Sequence, residues 1–299
     1  TAAPSGPPRM PPTVFQGLGG HHNATRVNDL GQVAGVSQLN RDMSSPYHVF
    51  LWDDRVATDL GSLGGNGIVV TGMNNLGQVV GYGHTTSDYW THAFVADSSG
   101  ITDLSLLLPP GTKASFAFDI NDSGTVAGSF DQPGRPTSAF QWNPATGMKT
   151  DIGVGNAWHI NSSGNMVLTA PNNAWLWEAA TDTIVSISGG IHLIAGVSEL
   201  TDTNWVSGGV QLRGLGPQLP FRWQLDTGDF EIHPGLGGRW GTARDINDLG
   251  EVVAYLSTPD GQSRGVFWAT DGSSVILDTI GLSTDVSGIS NDGLIVGYD

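Results

Sequence analysis

The chain has no cysteine among its 299 residues, so neither a disulfide nor a thiolate metal site is open to it. Cations are scarce too: 12 Lys and Arg stand against 28 Asp and Glu, a net charge of −16. Nucleic acid and anionic membranes are bound through clustered Lys and Arg, so neither is an expected partner. No apolar run nears the ~20 residues of a membrane-spanning helix. Charged residues make up only 13 %, the reverse of a disordered chain. What is abundant is glycine, 43 in all, set between short apolar runs. That pattern predicts many tight turns joining many short strands. Residues 1–12 form a proline-rich opening that fits either the scar of a removed secretory signal or an arbitrary edge of the chain.

One motif recurs: an apolar residue, Asn, two small or polar residues, Gly, one residue, an apolar pair. It stands as Val27-Asn28-Asp29-Leu30-Gly31-Gln32-Val33-Ala34-Gly35 and returns with its Asn at 74, 121, 161 and 247. Two degenerate copies carry Thr201 and Ser290 at the Asn place. In the first of these Asn204 replaces the Gly, and Asn is the usual second choice where φ is positive. The copies lie 40 to 47 residues apart. Each predicts a hairpin of two strands around a tight turn. An aromatic strand follows in six copies, such as His48-Val49-Phe50-Leu51-Trp52, and a fourth strand closes several, such as Thr58-Asp59-Leu60-Gly61. Four short antiparallel strands repeated seven times predict an all-β, seven-bladed β-propeller, a single domain over 1–299. The last copy stops after two strands, while Thr13–Gly20 resembles a fourth strand. The expectation is an incomplete last blade closed by both termini.

These motifs resemble the HAF repeats of extracellular bacterial proteins. His92-Ala93-Phe94 matches the tripeptide of the name, His48-Val49-Phe50 comes close, and the Asn-Asp-x-Gly-x-Val-Val-Gly hairpins and Asp59-Leu60-Gly61-Ser62-Leu63-Gly64-Gly65 match as well. The resemblance covers essentially the whole chain. It implies secretion and a propeller-like fold, and it brings no catalytic residues with it.

In a repeat protein, residues that recur serve the fold, and residues that break the repeat are the functional candidates. The recurring Asn is expected to bond nearby backbone, as in Asx turns. The recurring Trp and Phe are expected to pack between blades, and His48 and His92 to be structural. Two residues before the Asn, the copies read Arg26, Gly72, Asp119, His159, Glu199, Asp245 and Gly288. Apolar residues flank that place. Innermost strands crowd around the axis, so Arg26, Asp119, His159, Glu199 and Asp245 are the candidate catalytic set. Asp119 and Asp245 share an Asp-Ile-Asn context, which also fits a structural feature. The loops where inner strands begin supply candidate ligand-binding residues: His21, His22, His192, Arg239 and Trp240. The loop His84-Thr85-Thr86-Ser87-Asp88-Tyr89-Trp90 adds Tyr89 and Trp90. Aromatics beside polar groups suit sugar rings.

No Walker loop, His-Glu-x-x-His or nucleophile elbow is present, and no cofactor or metal is expected. Three functions fit. The first is a secreted, monomeric propeller that binds a glycan at one axial end and cleaves it. A lyase would use Arg26 and His159, and a hydrolase Glu199 with Asp119 and Asp245. The second is a non-catalytic carbohydrate- or protein-binding module with repeated sites. The third is a small-molecule enzyme using the axial His, Arg and carboxylates.

Overall fold

The Asn-x-x-Gly turns set the architecture locally. In each of the seven hairpins the residue at the Gly place has positive φ, from 62° at Asn204 to 83° at Gly250. Asn28 Oδ1 accepts from the amides of Leu30 (3.2 Å) and Gln32 (2.9 Å), the expected Asx geometry. The side-chain amide reaches further. Asn28 Nδ2 donates to Asn74 O, Asn74 to Asn121 O, Asn121 to Asn161 O and Asn161 to Thr201 O. Asn247 Nδ2 likewise donates to Ser290 O. Where Thr201 takes the Asn place, Thr203 Oγ1 bonds Asp248 O instead. The repeated Asn therefore joins each hairpin to the next.

The computed structural model describes residues 18–41, 45–171, 173–187, 193–212, 216–277 and 285–298. They form six four-stranded antiparallel sheets and one of two strands, each sheet running in chain order from inner to outer strand. We call the sheets blades 1 to 7. Their inner strands are His22–Val27, Gly64–Met73, Ala114–Ile120, Asn156–Ile160, Leu193–Leu200, Gly241–Ile246 and Asp285–Ile289. The fourth strand of blade 3 is short, Gly147–Lys149.

Apolar side chains fill the seams between successive blades. Ile120 of blade 3 packs with Val80 and Val95 of blade 2, and Ile289 of blade 7 with Val253 of blade 6. Phe50, Phe94, Phe140 and Phe221 on the third strands are fully buried, each worth roughly 1.5–3 kcal/mol. Glycine stands opposite each of them: Gly35, Gly81, Gly128 and Gly208. A β-carbon at Gly81 or Gly208 would lie 2.9 Å from the ring it faces. Where that glycine is replaced, by Leu168 and Ala254, the partner changes to Trp175 and Val266.

All seven inner strands carry a β-bulge at the same place, three residues before the Asn position: Thr25, Thr71, Phe118, Trp158, Ser198, Arg244 and Ser287. A bulge breaks the two-residue alternation of a strand and re-aims the side chains beside it.

Closure by both termini was expected, but it falls on residues 13–17, outside the described residues. Leu18 to Gly20 form a bend held to blade 1, through Ser37 and Gln38, rather than a strand on blade 7. Among the described residues no strand pairs with the two-stranded sheet. Val27 is 68 % exposed, whereas Ile120, Ile160, Leu200, Ile246 and Ile289 at the same place are buried.

Candidate axial site

The bulge decides what the inner strands present to the axis. Because one residue is looped out, the bulged residue and the next both reach the channel. Phe118 with Asp119, Trp158 with His159, and Ser198 with Glu199 line one chamber of about 400 Å³, together with Arg26 and Thr71. Four of the five candidate catalytic residues therefore meet there. Asp245 lies in a neighbouring recess of about 540 Å³, and Glu199 lines both.

His159 Nδ1 is 3.6 Å from Glu199 Oε1. Glu199 Oε1 also accepts from the Leu200 amide (3.1 Å). Arg26 is anchored by two carbonyls, Nε to Thr71 O (2.6 Å) and Nη1 to Thr25 O (2.8 Å). Its charge acts on both His159 and Glu199. The His159 side chain is 20 % exposed, toward the chamber, and the Glu199 side chain 37 % exposed, toward both recesses.

Burial pushes the Glu199 carboxyl up to about 8, and Asp245 adds to the rise against the Leu200 amide and Arg26. Burial holds the His159 imidazole below its ordinary value, helped by Arg26 and opposed by Asp119 and Asp245. Near neutral pH the pair is thus a carboxylic acid beside a neutral imidazole. Burial raises Asp119 to about 6, with His159 opposing and Glu199 adding.

The two aspartates do a different job. Asp119 accepts from Ile120 N (2.8 Å) on its own strand and from Ile160 N (3.1 Å) on the next blade. Asp245 repeats this with Ile246 N (2.9 Å) and Ile289 N (2.8 Å). Each carboxylate staples two inner strands with both oxygens engaged. Their shared Asp-Ile-Asn context is thus a repeat feature.

Sequence reasoning missed Phe118 and Trp158. Trp158 is 42 % exposed, and its ring centroid lies 4.1 Å from that of Phe118. Phe116 stacks behind Phe118 at 6.0 Å and Tyr82 meets Phe116 edge-on at 5.0 Å. The available signal was two aromatics at a place otherwise held by Thr, Ser and Arg. A strict two-residue alternation points that place to the face opposite the charged residues, and the bulge turns it back.

The loop candidates do not join this cluster. His21 and His22 sit at the far end of an inner strand from Arg26, ~13 Å away at the rise of a strand. Both are exposed, and His22 Nδ1 contacts Gly20 O at 3.2 Å. Arg239 and the 60 % exposed Trp240 belong to blade 6, while Tyr89 and Trp90 belong to blade 2. His192 lies outside the described residues. His48 and His92 pair with Asp59 (3.0 Å) and Asp103 (2.8 Å), joining third to fourth strands as structural residues do. Among the described residues no group of three or more His, Asp or Glu is placed to hold a metal ion. No described helix is long and apolar enough to cross a membrane.

No protein-family model matches the chain, and no curated protein matches it in sequence. Solved structures match in fold. The chain resembles the β-propeller domain of the Trilobed protease from Pyrococcus furiosus, with a TM-score of 0.56 and 13 % identity over 86 % of this chain and 84 % of that one. That domain is described as having an open velcro topology. Virginiamycin B lyase from Staphylococcus aureus gives 0.52 and 12 %, over 91 % and 88 %. Dipeptidyl peptidase 4 from Porphyromonas gingivalis gives 0.57 and 8 %, over 92 % of this chain but 49 % of that one, so the chain spans about half its length. At these identities the likeness establishes the fold: the chain is a β-propeller.

Proposed function

We propose that the chain is a secreted glycan lyase whose active site is the axial chamber. A seven-bladed ring, with Asp285–Tyr298 as its last blade, frames that chamber. The observation that carries the proposal is the aromatic wall of Trp158 and Phe118 beside a neutral acid–base pair and a cation, all in one cavity.

A pyranose lays its apolar face on Trp158. Arg26 faces the carboxylate of a uronate and draws charge from the adjacent carbon. His159 Nε2 removes the proton from that carbon. The electron pair forms a C=C bond, the C–O bond to the leaving sugar breaks, and the Glu199 carboxyl donates its proton to the departing oxygen. This leaves imidazolium beside carboxylate at the 3.6 Å contact. Transfer of the Nδ1 proton to Oε1 regenerates the acid and leaves the imidazole protonated on Nε2; exchange with water after product leaves returns it to the Nδ1–H tautomer.

Hydrolysis by two carboxylates is less well served, because Asp119 and Asp245 are engaged at both oxygens. A module with repeated sites needs equivalent residues in most copies, and the bulged and following positions differ from blade to blade.

The test is incubation with polygalacturonate and with alginate, following ultraviolet absorbance of the new double bond. Absorbance should grow with the wild type and fall 10²- to 10⁴-fold with His159→Gln, the usual weight of a general base. New reducing ends without absorbance would mean a hydrolase. Binding without product would mean a binding module.

A further inference from the structure

Blade 2 departs from its fellows at the opposite end of the ring. Its inner strand runs ten residues. Between Gly64 and Ile68 three residues, Gly65-Asn66-Gly67, stand opposite the single His84. A β-carbon at Gly67 would lie 3.0 Å from His84 Nδ1, so the missing side chain is what lets the imidazole lie close against the inner strand. Two recesses meet there, both touching Asn66 and His84. One, of about 270 Å³, lies between blades 1 and 2 and is walled by Val36, Tyr47, Ile68 and Tyr82. The other, of about 530 Å³, is lined by Thr85, Thr86, Ser87, Asp88 and Tyr89.

The loop that lines the polar half is held in place. Asp88 contacts His92 Nε2 at 3.2 Å and accepts from Thr85 Oγ1 and Trp90 N. Thr85 Oγ1 and Ser87 Oγ share a hydrogen bond of 2.9 Å. Lys113 Nζ sits 5.1 Å from the Trp90 ring centre. A fixed loop loses little freedom on binding.

We propose that this double recess is a second binding site, for a neutral pyranose unit. The tyrosine-walled half fits the C–H face of a ring, and the Thr, Ser and Asn side chains fit its hydroxyls. Asp88 lines it and no Arg or Lys does, unlike the axial chamber with its Arg26, so an anionic sugar is disfavoured here. The site lies ~16 Å along the inner strand from Gly72, which lines the axial chamber, and does not depend on the lyase reading. It would hold a neutral part of a glycan at a distance from the axial chamber.

The experiment is saturation-transfer NMR and calorimetry of the full chain with cellotetraose, maltotetraose and mannotetraose. At least one should bind, with affinity reduced tenfold or more in Gly67→Leu. Gly67 is outside the left-handed region, so Leu is permitted by the backbone; its side chain crowds His84 and intrudes on the recess that both residues line. Tyr89→Ala covers the case in which that variant does not fold, because this side chain is 99 % exposed; three- to tenfold weaker binding is expected. His159→Gln should leave the affinity unchanged. The proposal is overturned if none of the three binds, or if the folded blade 2 variants bind as the wild type does. Loss of binding in His159→Gln alone would place the sugar in the axial chamber, against this proposal and for the lyase reading.

Discussion

Replacing Glu199 by Gln should stabilise the protein at alkaline pH and leave it almost unchanged in mild acid. The folded carboxyl holds its proton up to about 8, against an ordinary value of 4.5. The folded state therefore binds more protons than the unfolded state between those values, and stability falls as pH rises through the window. Below about 4.5 the group favours neither state; above about 8 the full penalty of a buried carboxylate is in place. The shift corresponds to about 5 kcal/mol in full. Because 37 % of the side chain touches channel water, screening reduces this to roughly 2 kcal/mol. Gln keeps the shape, keeps an oxygen for the Leu200 amide and carries no charge. Urea or thermal unfolding at pH 5 and pH 9 measures the difference. Gln should gain roughly 2 kcal/mol at the higher pH, or roughly 3 °C for a chain of this length, and a few tenths at the lower. An equal effect at both values would refute the claim that Glu199 is a buried acid held neutral by its surroundings.

Activity should follow a bell-shaped pH profile, its alkaline limb near 8 from Glu199 and its acid limb below the ordinary histidine range from His159; rates across buffers check this. Asp29, Asp202, Asp248 and Asp292 line the recess beside Glu199 and repel a polyanion, so turnover of polygalacturonate should rise from about 0.01 M to about 0.15 M salt. Arg222 is 1 % exposed, pairs with Glu231 (2.7 Å) and donates to the carbonyls of Gly250, Ala269 and Thr270 on blade 6. Arg222→Ala should cost about 3–5 kcal/mol in urea unfolding, and Glu231→Gln much less, because the carbonyl bonds survive. Asn74→Ala removes two donated and two accepted bonds at a buried hairpin and should cost about 2–3 kcal/mol, readable in the same assay.

Much of the fold was legible because its instructions are local. A turn that needs positive φ takes Gly or Asn, and the substitution at Asn204 obeys that rule at a φ of 62°. The hairpins, the aromatic strand and the repeat phase follow from such rules. What crosses between blades was not legible. Nothing in Asn28 alone tells that its amide reaches Asn74 O, since the partner lies 46 residues on.

The candidate site shows the same divide. The broken repeat correctly singled out Arg26, Asp119, His159 and Glu199 as neighbours, because equivalent places on inner strands converge on the axis. It missed Trp158 and Phe118, because a bulge is invisible to a two-residue period. It also could not separate Asp119 from Glu199. Both are acids at the same place, yet one reaches the amide of the next blade and the other meets its own strand's amide and His159.

The central claim is that a glycan binds in the axial chamber. Hydrogen exchange with and without an oligogalacturonate tests it most directly, read in a His159→Gln variant so that the ligand is not consumed. Protection should appear on the inner strands Ala114–Ile120 and Asn156–Ile160, around the bulges at Phe118 and Trp158. Protection confined to outer strands, or none at a saturating concentration, would contradict it.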